Sequence, residues 1–139
     1  MNSKQKGARG ERELSNKLKE YGFNTRRGQQ YCGANGDADV VGLDGIHIEC
    51  KRVESLNINK AMEQASCDAM DDTFDYEHAE YANLPTVFHR KNNAPWLVTM
   101  CLGDWMKLYK AYKPNGDNQT TTPIPVASPK FDLEQSEWH

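Results

Sequence analysis

Asp39, Glu49 and Lys51 are the residues whose types and spacing point to chemistry, and all three lie in the stretch Gly36 to Arg52, GDADVVGLDGIHIECKR. Two carboxylates and an ammonium group gathered on one patch would hold a divalent cation and orient a polar reactant beside it. Whether they gather depends on the register of a β-hairpin. A two-residue Asp44-Gly45 turn would set Asp39 opposite Cys50 and Val40 opposite Glu49, mixing polar and apolar side chains on both faces. A three-residue loop, Leu43-Asp44-Gly45, built as a type I turn closed by a left-handed glycine bulge, sets Asp39 opposite Glu49. Ala38, Val40 and Gly42 then share a face with Ile46, Ile48 and Cys50, while Asp37, Asp39 and Val41 share the other with His47, Glu49 and Lys51. A slip of one residue would exchange faces along a whole strand, so the sorted pattern selects the three-residue loop.

The elements that must position these residues read as follows. Lys4 to about Tyr21 is a helix, with Leu14, Leu18 and Tyr21 on its apolar face and Gly22 as its stop. Glu11 falls on that apolar face, where an ionised carboxylate is costly without a cation or a metal, whereas Glu13 points to the opposite side and sits in water. The structural alternative for Glu11 is a pair with Arg9 or Arg12 at the rim of the core. Phe23 to Arg27 is a short strand, and the Gly-rich segment Gly28 to Gly36 is a loop that leads to the hairpin. Asn57 caps a second helix carrying Ile58, Ala61, Met62, Ala65 and Ala69 along one stripe, with Gln64 at its edge. Met70 to Pro85 is a frayed helix end plus a loop, Thr86 to Arg90 and Trp96 to Cys101 are strands, and Leu102 to Tyr112 is a helix with Trp105, Leu108, Tyr109 and Tyr112 facing inward. This order gives an α/β fold, a central mixed sheet of about five strands flanked by helices with the hairpin in the middle. Residues 1–113 form one domain and 114–139, rich in Pro, Thr and Asn, form an extended or partly disordered tail.

The 139 residues suffice for one core, and no apolar run approaches the length of a membrane span. The start of the chain lacks the apolar segment of a signal peptide, which implies a cytoplasmic protein with no membrane partner. Four cysteines, Cys32, Cys50, Cys67 and Cys101, show no CxxC pair, which predicts reduced and mostly buried thiols. The net charge of -3 hides an asymmetry: Met1 to Tyr31 carries eight Lys or Arg against three Glu, and Ala61 to Ala82 carries seven acids and no Lys or Arg. A basic lobe on an acidic chain can still steer a polyanion.

Oxygen ligands from neighbouring strands suit Mg²⁺, or Mn²⁺, better than zinc, which prefers His and Cys. Asp39 and Glu49 would be the direct ligands, with a third carboxylate offered by Glu11, whose helix must then pack over the Asp39, Glu49 and Lys51 patch. Lys51, on the same face as Glu49, would orient a water or stabilise charge on a phosphoryl oxygen; its structural alternative is an ion pair. His47 shares that face, as a bystander or a base.

The ordered motifs KGARGEREL (Lys6 to Leu14), GF (Gly22-Phe23), DADVVGL, IECK and EQA (Glu63 to Ala65) resemble the PD-(D/E)XK nuclease superfamily, and within it the archaeal-type Holliday junction resolvases and their phage and bacterial relatives. The resemblance covers roughly residues 4 to 70. It implies a restriction-endonuclease-like core and a metal-dependent endodeoxyribonuclease acting on branched DNA as a homodimer, in a prokaryotic or phage-infected cell. It further implies a catalytic set of Glu11, Asp39, Glu49 and Lys51, with Mg²⁺ or Mn²⁺ on Asp39 and Glu49 and Glu11 joining directly or through water. Arg12 and Arg27 match positions of phosphate-contacting or activity-supporting arginines, and Gln64 a site-lining glutamine. Arg9, Arg26 and Arg52 complete the expected DNA contacts, with Arg90 and Lys91 as further candidates. Two departures stand out: Ala38 replaces the usual proline before the metal-binding Asp, and QQYCGANG lacks the Ser-rich loop of archaeal resolvases. A restriction or repair endonuclease on the same fold, and a DNA-binding or scaffold protein without catalysis, are the rival readings.

Overall fold

The computed structural model describes residues 3–29, 38–73 and 83–114. The elements run α1 (Ser3–Glu20), β1 (Arg26–Arg27), β2 (Val40–Val41), β3 (Ile46–Arg52), α2 (Ile58–Thr73), β4 (Leu84–Arg90), β5 (Leu97–Met100) and α3 (Leu102–Tyr112). The fold is α/β. Its five-stranded mixed sheet has the order β1-β2-β3-β4-β5, parallel only between β3 and β4, so the hairpin strand β3 is central as expected. Residues 30–37, including Cys32 and most of the expected loop, residues 74–82 of the acidic stretch, and residues 115–139 of the expected tail lie outside the described residues.

Helix α1 ends where the sequence requires. Gly22, at φ 97°, lets its N–H reach the Lys19 carbonyl and the Phe23 N–H reach that of Leu18, the paired closure of a Schellman turn. Tyr21 falls beyond the last helical turn and is 71% exposed, so the inward position assigned to it is wrong. Leu14 packs with Val40, Ile48 and Phe88, and Leu18, Ile46, Cys50 and Trp96 close around them. On the other face of the sheet, Ala61 and Ala65 of α2 pack on Val87. Small residues along that stripe let α2 lie close. Asn57 caps α2 as predicted, its Oδ1 accepting from the Lys60 N–H at 3.1 Å.

Helix α3 departs from expectation. None of its residues is buried, and Trp105 is 48% exposed. The apolar face of α3 is real, but no described element covers it. Among the cysteines, Cys67 and Cys101 are exposed rather than buried, because Cys67 lies off the Ala61–Ala65–Ala69 stripe and Cys101 immediately precedes the uncovered α3. No helix among the described residues is long and apolar enough to cross a membrane.

Candidate metal and nucleic-acid site

The hairpin register is the one that sorts the faces: Val40 pairs with Ile48, which sets Asp39 opposite Glu49. The turn that produces it differs. Asp44 and Gly45 form a two-residue reverse turn, with Gly45 at φ 84° and the Ile46 N–H donating to the Leu43 carbonyl at 3.1 Å. The extra residue is absorbed instead as a bulge, Val41 and Gly42 standing against His47 alone. Gly42 has φ 124°, and a Cβ there would lie 2.6 Å from the Asn24 carbonyl oxygen and 2.8 Å from the Thr25 Cα. That close crossing, rather than the turn, fixes the register.

Asp39 holds β3 on both sides of Glu49. Its N–H donates to the Ile48 carbonyl at 3.0 Å, and its Oδ2 accepts from the Cys50 N–H at 2.8 Å, taking the place of a strand carbonyl where β2 has ended. Gly28 adds a bond from its N–H to the Asp39 carbonyl at 2.9 Å. The carboxylate is thereby fixed at the open edge of the central strand.

Alternation along β3 puts Ile48 on the α1 side and His47, Glu49 and Lys51 on the α2 side. The expectation that the Glu11 helix lies over the polar patch is therefore corrected: α2 covers it, and α1 packs on the opposite face. Glu11 still reaches Asp39 around the open edge, and the two carboxylates repel. The approach depends on Gly10, where a Cβ would come within 2.7 Å of the Arg52 Cβ. Burial, then the charge of Asp39, raise the Glu11 carboxyl above its usual range, against the pull of Arg27, whose Nε donates to Glu11 Oε1 at 3.1 Å. Glu11 thus pairs with Arg27, and the charge of Arg12, one of the partners in the structural alternative, acts on it as well.

Glu49 is 3% exposed. Burial first, then Asp39, push its carboxyl up to about 7, with Asp68 adding and Lys51 opposing. Lys51 Nζ sits 3.4 Å from Glu49 Oε1 and donates to Gln64 Oε1 at 3.1 Å. Burial and the surrounding carboxylates push the Cys50 thiol upward, so it stays protonated. A groove of about 580 Å³, lined among others by Lys51, Gln64, Asn57 and Lys60, opens next to this pair.

The structure thus brings Glu11, Asp39, Glu49, Lys51 and Gln64 into one neighbourhood, but not as a simple tricarboxylate cage. Among the described residues, the group whose ligand atoms all lie within 4.8 Å of one another is His47, Glu49 and Asp68; Glu11 and Asp39 stand outside it. Asp68 is a residue that the sequence pattern did not bring forward. Its signal is the spacing: it lies four residues after Gln64 on the same helix ridge.

The basic residues divide into two sets. Arg9, Arg12 and Arg26 have exposed positions on α1 and β1. Arg27 serves Glu11, and Arg52 is held by Glu13, with its Nε 3.3 Å from both carboxylate oxygens, and by Asn92 at 2.8 Å. Arg90 also donates to Glu13, and its Nε to the Ala94 carbonyl at 2.7 Å. Glu13, expected in open water, instead ties the ends of β3 and β4 to α1. Lys91 is exposed. No family model, curated protein or solved structure matches the chain.

Proposed function

We propose that the chain is a metal-dependent endodeoxyribonuclease of the PD-(D/E)XK kind that hydrolyses phosphodiesters in branched DNA. The observation that carries this reading is the convergence of Asp39, Glu49 and a Lys51 ammonium held between Glu49 and Gln64 at the open edge of the central strand. Mutually repelling carboxylates, Glu49 buried and Asp39 partly so, fit a hard cation, because among the described residues Lys51 alone leaves their negative charge in excess. Asp39 and Glu49 would hold Mg²⁺ or Mn²⁺, with Glu11 a direct or water-mediated neighbour. When bound, that ion would lower the pKa of a water and offset charge on the phosphoryl oxygens.

Lys51 would orient the attacking water or donate to a non-bridging oxygen of the phosphate, and Gln64 holds the ammonium in place for either task. Arg9, Arg12 and Arg26 would bind flanking phosphates, and the groove beside Lys51 and Gln64 would accept the strand being cut. Arg27 and Arg52 would act mainly through Glu11 and Glu13. The reading includes a homodimer, since paired strands of a junction need two sites, and a cytoplasmic setting.

The test is a cleavage assay in Mg²⁺ that compares a four-way junction with duplex, flap and single-stranded DNA of the same sequence. Junction-preferring cleavage that disappears in chelator and falls about 100-fold or more in Asp39→Asn is expected. Equal cutting of all substrates removes the junction from the proposal. No cutting of any, or full activity in Asp39→Asn, removes the nuclease.

A further inference from the structure

We infer that His47, Glu49 and Asp68 form a binding site for a divalent transition-metal ion, a position separate from the Asp39 carboxylate and sharing only Glu49 with it. This inference does not rest on the nuclease reading. It begins with a match of two repeats. Helix α2 runs antiparallel to β3, and four residues of helix advance about 6 Å while two residues of strand advance about 6.6 Å. Gln64 therefore meets Lys51, and one turn later Asp68 meets Glu49. Period two along β3 then adds His47 on the same face, and one ligand atom from each of the three lies within 4.8 Å of the others.

Among the described residues, the neighbourhood lacks the positive charge that its carboxylates call for. Glu49 feels both Asp39 and Asp68, and the ammonium beside it, Lys51, is shared with Gln64. His47 supplies the independent observation. It is 2% exposed and has interactions of its own, and among the described residues its buried Nε2 makes no hydrogen bond. One of its two ring nitrogens belongs to the group with Glu49 and Asp68, and a buried imidazole nitrogen without a hydrogen bond matches a ligand whose partner is an ion. Asp68 is accessible to solvent, which gives the ion a route in.

The ligand set selects the metal. One imidazole nitrogen with two carboxylates suits Mn²⁺ or Zn²⁺ better than Mg²⁺ or Ca²⁺, which favour all-oxygen sites. Bonds of about 2.0–2.2 Å set neighbouring ligand atoms about 3–3.5 Å apart, so the three side chains would close in on the ion from within 4.8 Å of one another.

The probe is Mn²⁺, titrated into the chelator-treated full chain and followed by the electron paramagnetic resonance of the free ion. Asp68→Asn, a solvent-accessible change that leaves the fold intact by circular dichroism, should weaken one Mn²⁺ by about tenfold or more. Asp39→Asn should retain that ion. The bound Mn²⁺ should show nitrogen hyperfine coupling that vanishes in His47→Gln; should that variant fail to fold, Asp68→Asn and the coupling in the unaltered chain still decide. Mg²⁺ should compete poorly. Unchanged Mn²⁺ binding in Asp68→Asn, absence of nitrogen coupling, or no binding at millimolar Mn²⁺ overturns the site. DNA cleavage is not a readout, so a chain that binds Mn²⁺ here and cuts nothing loses the nuclease proposal alone.

Discussion

Replacing Glu49 by Gln turns the burial of one carboxylate into a measurable pH dependence. With no ion bound, the folded chain holds this carboxyl at about 7, against an ordinary value of 4.5. The displacement is upward, so the ionised form is the disfavoured one. Between these two values the folded state binds more protons than the unfolded state, and stability falls as pH rises. The penalty begins above 4.5 and is complete once pH has passed 7. From pH 5 to pH 8 the loss attributable to this group is about 2–3 kcal/mol, since each tenfold change in a proton affinity corresponds to about 1.4 kcal/mol. Other groups titrate over the same range, so the quantity to measure is the difference between Glu49→Gln and the unaltered chain. Urea denaturation in chelator at pH 5 and pH 8 supplies it. The substituted chain should gain about 2–3 kcal/mol on its parent between those pH values, because a neutral amide escapes first the desolvation of a buried charge and then the repulsion from Asp39 and Asp68. A divalent ion at pH 8 should restore the parent and leave Glu49→Gln nearly unchanged. A difference that stays flat from pH 5 to pH 8 refutes the claim that Glu49 is buried against uncompensated negative charge.

Two further outcomes follow from the packing. Gly42→Ala forces a Cβ against backbone atoms of Asn24 and Thr25 at a positive φ, and should cost about 3 kcal/mol in thermal or urea unfolding; a change under about 0.5 kcal/mol would mean that the bulge does not set the register. Glu13→Gln removes the shared partner of Arg52 and Arg90, both partly shielded, and should cost about 1–2 kcal/mol, fading in high salt; no loss at low salt would show the three-residue contact to be idle.

The pairing of Asp39 with Glu49 was legible because the two-residue period of a strand exposes any error of register as a mixed face. The bulge that produces it was not, since Gly42 owes its conformation to a chain crossing at Asn24 and Thr25, far from it in sequence. The apolar period of α1 correctly placed Leu14 in the core, yet it could not say on which face of the sheet the helix would lie. Glu11 consequently arrives from around the edge rather than from above. The same limit applies to α3, whose pattern of Trp105, Leu108, Tyr109 and Tyr112 marks an apolar face without naming what meets it. Asp68 escaped notice for a different reason. Its partner lies on another element, and only the antiparallel run of α2 along β3 turns a four-residue spacing into a neighbour of Glu49.

The bond from the Cys50 N–H to Asp39 Oδ2 joins a main-chain proton to a side-chain charge. Beyond the Val40–Ile48 pair, that side of β3 has no described strand beside it to shield its amides. The exchange of a single amide with deuterated solvent is thereby made a clock for the carboxylate: slow while Asp39 is docked, faster when it is drawn away. Local opening of the strand and occupancy at its edge are two readings of one hydrogen, and the backbone itself carries a record of the state of the site.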